Sequence, residues 1–244
     1  MKLNKRLKEI YYFFILLISM AGYVPNKAPV MRTVLIVASL AFVVVLNIFQ
    51  PNNARLAFFY YSISEILYIG FITLVLSGKG MRHWFIKKWG ERKGYSTYET
   101  WIGFLFFHNA ASIGYVASAN QGILFHFMNK EVLFVITAIL FIGGFVIKVW
   151  AAKVVTIDIY YWKDMFLGRK ISDFVMTGPY KYIHNPMYGV GQIPAYAVAL
   201  WYGSTYGLAV AFLNQFLIFS FYFLVEKKFI KRIYHTADPL TLNS

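Results

Sequence analysis

Of the 244 residues, 59% are hydrophobic and only 14% charged, whereas a soluble domain carries roughly a quarter charged residues, so most of the chain is expected to meet lipid or other helices. The formal net charge is +14, but the lysines and arginines fall between apolar runs, where they set membrane topology and attract anionic lipid headgroups rather than nucleic acid. With no cysteine, disulfides, thiolate chemistry and cysteine metal sites are excluded.

The start of the chain, Met1 to Glu9, is basic, and an apolar stretch from Ile10 to Tyr23 follows. No small-residue cleavage site precedes Pro25, so a cleaved signal peptide is not expected. Crossing about 30 Å of hydrocarbon takes roughly 20 apolar residues at the helical rise. Thr33 to Gln50 meets that length, and Pro51, Asn52 and Asn53 then turn the chain back through Leu56 to Ser77 as a helical hairpin. Trp101 to Ser118 and Val132 to Ala151 come next, separated by a mixed segment with Asn120, Gln121, His126 and Lys130. After a long amphipathic connection, Ala152 to Asn185, the runs Met187 to Tyr202 and Tyr206 to Val225 form a second hairpin turning at Gly203 and Ser204. Aromatic residues near the ends of these runs, such as Trp84, Trp89 and Trp201, suit the headgroup zone.

Charge placement sets the topology. Basic residues gather between Lys79 and Glu99, in the connection after Ala152, and from Lys227 to Arg232. All three segments are expected on the cytoplasmic side, and six crossings from Thr33 onward place them there together. The basic amino terminus joins that side when Ile10 to Tyr23 lies in the interface or dips and returns. The expected architecture is therefore an all-α, polytopic membrane bundle of about six transmembrane helices plus one short interfacial or partly inserted N-terminal helix. It is one integrated unit, divided into N-terminal membrane helices over 1–130, a catalytic region over 131–235 and a short tail over 236–244.

Chemistry concentrates in Thr177 to Gly191, TGPYKYIHNPMYGVG. Gly178 and Pro179 make a turn. Pro186 is tolerated at the first position of a helix, with Asn185 as its N-cap. This puts His184, Asn185 and Tyr188 at the mouth of the next span, and Gly189 and Gly191 allow close helix approach. The same residues also describe nothing more than a well-capped helix with an aromatic belt. Glu226 adds weight to the functional alternative. It follows the apolar run Phe216 to Val225, and the hairpin returns it to the face where His184 sits. A carboxylate at a helix C-terminus is disfavoured by the helix dipole, so a cationic ligand or a neighbouring lysine should compensate it.

Gly178 to Gly191, followed by Val225, Glu226 and Ile230 to Tyr234, resembles the phospholipid methyltransferase family, membrane enzymes that methylate phosphatidylethanolamine with S-adenosylmethionine. More distantly it resembles the isoprenylcysteine carboxyl methyltransferases. The string Asp158, Tyr161, Trp162, Asp164 and Phe166 is similar to the Trp-x-Asp pattern that precedes the motif in fungal phosphatidylethanolamine methyltransferases. The likeness runs from about residue 140 to 235, and the Asn185-Pro186-Met187-Tyr188 version of the motif favours an amine acceptor. A single Glu226 followed by Lys227 stands where many members have paired glutamates.

The resemblance implies an integral membrane enzyme; charge placement puts its active site on the cytoplasmic face, and a single methyltransferase-like unit without a long soluble extension suits a bacterial inner membrane slightly better than the endoplasmic reticulum. It implies S-adenosylmethionine held by His184, Asn185, Pro186, Tyr188, Gly189 and Glu226, a proton acceptor among His184, Asp164 and Glu226, and a phospholipid substrate within the bilayer touching Tyr161, Trp162 and Tyr180. A histidine suits proton removal near neutral pH, and an aromatic face such as Tyr188 attracts a positive sulfur. Gly143 and Gly144 lack the family's glycine spacing. No metal is expected, because the five histidines show no ligand spacing.

Two other functions share parts of this pattern: a membrane sterol or lipid reductase using NADPH, and a non-catalytic lipid-binding protein. Outside the motif, Glu65 lies mid-span, where an ionisable group either serves a site or bonds across helices. His108, Asn109 and Lys148 are expected to be packing or snorkelling groups.

Overall fold

A computed structural model of the chain describes residues 5–20, 30–78, 80–122, 124 and 128–234. Expectations resting on Lys79, His126, the end of the first apolar stretch at Tyr23, and the tail 236–244 lie outside those residues. Among the described residues every regular element is helical. The order is α1 (Lys5–Met20), α2 (Val30–Phe49), α3 (Ala54–Leu76), α4 (Arg82–Ala119), α5 (Lys130–Tyr160), α6 (Lys163–Leu167), α7 (Ile193–Trp201), α8 (Thr205–Phe221) and α9 (Lys227–Tyr234). Short 3₁₀ turns at Gly178–Lys181 and Val190–Gln192 precede α7, and a π-turn at Tyr222–Glu226 joins α8 to α9.

Among the described residues five helical stretches are long and apolar enough to cross a membrane: Val30–Phe49, Ala54–Leu76, Arg82–Ala119, Lys130–Leu167 and Thr205–Tyr234. Large apolar side chains such as Val37, Phe49, Ile139 and Ile142 stay exposed on them. Helices apolar all round belong in a core or in lipid, and this outward surface fits a polytopic membrane bundle.

The first hairpin forms as its sequence dictates. The side-chain oxygen of Asn53 accepts from the Leu56 amide at 3.0 Å and caps α3. In the second hairpin Gly203 has φ +58°, and a Cβ there would lie 2.9 Å from the Gly122 carbonyl oxygen, so both the turn and the close approach require glycine. Ser204 then caps α8 through the Gly207 amide at 3.0 Å.

Three elements depart from the sequence expectation. The run Met187 to Tyr202 becomes a helix only over Val190–Trp201, about 18 Å at the helical rise, short of the length that spans the hydrocarbon by itself. Pro186 does not open a helix. The peptide after it folds into successive tight turns, with the Gly191 amide donating to the Pro186 carbonyl at 2.7 Å, and α7 begins at Ile193 with Pro194 in its first turn. The long helices also extend into the expected connections. α4 continues back to Arg82 through a break at Gly90 (φ 72°), and α5 runs on to Tyr160 through a break at Thr156 (φ 71°).

Polar contacts fix the bundle where apolar packing cannot choose a register. Glu65 of α3, 4% exposed, accepts from Asn109 of α4 at 2.8 Å and from Asn214 of α8 at 3.0 Å, and Asn214 also donates to the Asn109 carbonyl oxygen at 2.9 Å. Arg32 of α2 forms a buried pair with Glu99 of α4 at 3.0 Å and donates to Thr100 at 2.6 Å. His108 bonds Tyr60 at 2.6 Å and Ser39 at 3.0 Å. α5 and α7 meet at Gly144, where a Cβ would lie 2.7 Å from the ring of Pro194, a small-residue contact of the kind that lets membrane helices approach closely.

Candidate functional site

A cleft lies where the end of α5, the corner before α6, the 180–192 segment and the π-turn meet. Tyr68 of α3 and Ile102 and Phe106 of α4 line one side, so the first half of the chain contributes to it.

The corner after α5 sets one wall. Trp162 adopts a left-handed conformation, φ 54° and ψ 42°, which costs a bulky residue about 1–2 kcal/mol. Its indole packs edge-on against Phe221 at 5.4 Å. The reversal starts α6 with Asp164 in its first turn, 6% exposed. One carboxylate oxygen of Asp164 accepts from the Met165 amide at 2.7 Å, the other from the Tyr234 hydroxyl at 3.0 Å. The guanidinium of Arg82, at the start of α4, donates to the Met165 carbonyl at 2.6 Å and holds this corner in place.

The π-turn sets the opposite wall. One residue more than an α-helical turn rotates the side chains that follow, a device found mostly at functional sites. Here it aims Glu226 into the cleft. The Tyr188 hydroxyl donates to Oε2 of Glu226 at 2.8 Å, and the Trp162 indole N–H donates to the same carboxylate. Glu226 is therefore not at a helix end, as the sequence suggests: the helix continues into α9, and the groups answering its charge are a phenol and an indole rather than a lysine. Burial pushes the Tyr188 and Tyr180 phenols up, reinforced by the negative charge of Glu226, so both stay protonated as donors.

The 184–192 segment is a scaffold of turns. Asn185 accepts from the Tyr188 amide at 3.3 Å, capping this turn instead of α7. The Gly189 amide donates to the Asn185 carbonyl at 2.8 Å, and Pro186 is fully buried. Gln215 of α8 donates to the Tyr188 carbonyl at 2.9 Å and accepts from Tyr196 at 2.6 Å, binding the segment to the following hairpin.

The cleft brings together His184, Asn185, Tyr188, Glu226, Asp164, Tyr161, Trp162 and Tyr180. His184 is exposed at the rim. Pro186 and Gly189 support the wall through their backbone and do not line the cleft. The ring of Tyr161 lines it, but its hydroxyl is committed to α1, donating to the Ser19 carbonyl at 2.8 Å. Asp158 faces away and pairs with Lys163 at 2.7 Å. Phe166 is a core residue stacked on Tyr98 at 5.1 Å.

Sequence reasoning missed Tyr222, Gln192 and Lys148, all of which line the cleft. Lys148 reads as a snorkelling group from its apolar neighbours alone. A faint signal was available: Lys148 and Gln192 are the polar breaks in runs that are otherwise apolar.

Chemically the cleft suits a cationic ligand. Among the described residues its lining carries three carboxylates, Asp164, Asp173 and Glu226, against one lysine, Lys148, together with the aromatic side chains of Trp162, Tyr188 and Tyr222. That is the donor set for a sulfonium or ammonium group.

Comparison with known proteins converges on the same region. The profile of the phospholipid methyltransferase family matches residues 132–237. A phosphatidylethanolamine N-methyltransferase of Eremothecium gossypii is 34% identical over 96 residues, 39% of this chain and 11% of that protein. Proteins with the same description from Pyrenophora tritici-repentis and Kluyveromyces lactis are 32% identical over 101 residues and 34% identical over 88 residues, covering 41% and 36% of this chain and 11% and 10% of theirs. The matches thus span about a tenth of the length of these relatives. No solved structure matches the chain significantly.

Proposed function

We propose, from the premise that residues 132–237 carry the phospholipid methyltransferase pattern, that this protein is an integral membrane methyltransferase using S-adenosylmethionine to N-methylate phosphatidylethanolamine or its partly methylated products. The observation that carries the proposal is the meeting of Tyr188 and Trp162 on Glu226 in an acid-rich aromatic cleft.

S-adenosylmethionine would supply an electrophilic methyl on a positive sulfur. Glu226, held by two donors, would pair the ammonium of that cofactor's amino acid portion, and the aromatic faces of Tyr188 and Tyr222 would favour the sulfonium. Asn185, Pro186 and Gly189 hold Tyr188 in register through their turn. The ethanolamine ammonium would have to give its proton to a cleft base before its nitrogen lone pair could take up the methyl that the bound cofactor would supply. His184 at the rim is the first candidate for that base, with Asp164, which accepts from Tyr234, or Glu226 as the alternatives. Much of the acceleration would come from alignment of nitrogen, methyl and sulfur in the cleft.

The surroundings fit a cytoplasmic site. The basic segments meet at this end of the bundle: Arg82 holds Met165, Arg169 pairs with Glu91 at 2.6 Å, and α9 carries Lys227, Lys228, Lys231 and Arg232. By the positive-inside bias this end faces the cytoplasm, and the same charges attract anionic lipid headgroups. None of the three relatives comes from a bacterium, so the expected preference for a bacterial inner membrane finds no support and is dropped.

The test is purified protein with methyl-labelled S-adenosylmethionine and defined lipids. Label in mono-, di- or trimethylated phosphatidylethanolamine is the expected result. No transfer to any amine lipid, with NADPH consumed in the presence of a sterol, would overturn the proposal.

A further inference from the structure

Among the described residues lining the cleft, Lys148 is the single lysine or arginine. Each carboxylate of the lining has donors or a cation of its own: Asp164 has Tyr234 and the Met165 amide, Glu226 has Tyr188 and Trp162, and Asp173 pairs with Lys170 at 2.7 Å. Among the described residues no carboxylate lies within 4.0 Å of Lys148. Its ammonium instead sits 5.2 Å from the centre of the Phe106 ring. A cation–π contact compensates little of the cost of holding a lysine within an apolar span, and Phe106 and Lys148 both face the cleft.

The stem of Lys148 is fixed. A Cβ added to Gly191 would lie 3.3 Å from Lys148 Cβ and Cγ, so the turn at Gly191 packs directly on it and the ammonium is held between α4, α5 and that turn. Lys148 also lies seven residues before Val155, which lines the same cleft; that is about 10 Å further along α5 from its Tyr160 end by helical rise. Along α5 the lysine therefore stands farther than Val155 from the Tyr160 end that leads to the corner carrying Asp164.

We infer that Lys148 binds the phosphodiester of the acceptor lipid. This inference rests on the methyltransferase reading above. In a glycerophospholipid the phosphate lies between the acyl chains and the amine. A lipid entering sideways, with its amine toward Asp164 and Glu226 and its chains toward the bilayer centre, brings its phosphate to the depth of Lys148. The anionic oxygens replace the absent carboxylate as the partner of the ammonium. The carboxylate of S-adenosylmethionine offers the same anionic chemistry, but it adjoins an ammonium drawn to Glu226, on the other wall.

The experiment uses the full chain in phosphorus-free detergent. Native mass spectrometry compares binding of dioleoylphosphatidylethanolamine with its phosphate-free counterpart, a dioleoylglyceryl ether of ethanolamine, for wild type, Lys148→Met and Lys148→Arg. Calorimetry with S-adenosylmethionine is run on all three. Wild type and Lys148→Arg are expected to prefer the phosphodiester lipid at least tenfold. Lys148→Met is expected to lose most of that preference while its affinity for S-adenosylmethionine changes less than twofold. Retention of the lipid preference in Lys148→Met, with or without a tenfold loss of cofactor affinity, would overturn the inference; the loss would assign the lysine to the cofactor carboxylate. Absence of the preference in wild type overturns it too. Because binding and not methylation is read, a protein with the expected preference and no methyl transfer counts against the proposed function and leaves Lys148 in place.

Discussion

The hydroxyl of Tyr188 donates to Oε2 of Glu226 across 2.8 Å, joining a turn built on Asn185 to a π-turn in the last long helix. Hydrogen bonds to charged groups contribute about 1.5–3 kcal/mol. Tyr188→Phe leaves Glu226 with the Trp162 indole as its remaining side-chain donor, and S-adenosylmethionine is expected to bind roughly 10- to 100-fold more weakly by calorimetry. An unchanged Kd would separate this pair from the cofactor site.

Glu226 and His184 should fail in different ways. Glu226→Ala removes the carboxylate proposed to pair the cofactor, so Kd for S-adenosylmethionine should rise strongly. His184→Ala, at the exposed rim, should lower kcat more than it changes that Kd. Full activity in both variants would mean that the site is misplaced.

Tyr234 ties α9 to α6 through Asp164 at 3.0 Å. Tyr234→Phe is expected to speed amide exchange across Lys227–Tyr234 while Ala54–Leu76 keeps its protection, since loss of one contact opens the local element before the bundle. Equal exchange in α9 of the two proteins would show that the amphipathic packing of Phe229 alone holds the helix.

Glu65, Asn109 and Asn214 form a buried clamp across three helices. Asn214→Leu leaves the Glu65 carboxylate one amide short, which costs about 1–3 kcal/mol for a buried group. The expected result is a lower Tm with turnover retained at low temperature. Lost turnover at an unchanged Tm would make Glu65 part of the ligand site instead.

The helices and hairpins were legible because apolar run length and the Pro51-Asn52-Asn53 and Gly203-Ser204 turns are local signals. The Trp162, Asp164, Tyr188 and Glu226 set was legible through resemblance of motifs, and the structure brings those residues to one cleft. Other features depend on contacts between distant segments. Nothing local in the run from Phe216 to Val225 marks a π-turn, yet that extra residue is what turns Glu226 inward. Gly144 lacks a motif spacing, and only the packed α5–α7 pair shows why a side chain there would collide with Pro194. Pro186 carries a helix-start signal that the Gly189 and Gly191 turns override. The lysine at 148 looks like a snorkelling residue until α4 and the 190 turn close around it.

The central claim, that the cleft between Trp162 and Glu226 holds S-adenosylmethionine, is tested most directly by photolabelling. The full chain in lipid is irradiated with a labelled azido derivative of S-adenosylmethionine, and the modified peptides are mapped with and without excess unlabelled cofactor. Competable label within residues 159–166, 180–192 or 222–234 is the expected result. Label confined to the first hairpin, or label that excess S-adenosylmethionine does not displace, would contradict the placement.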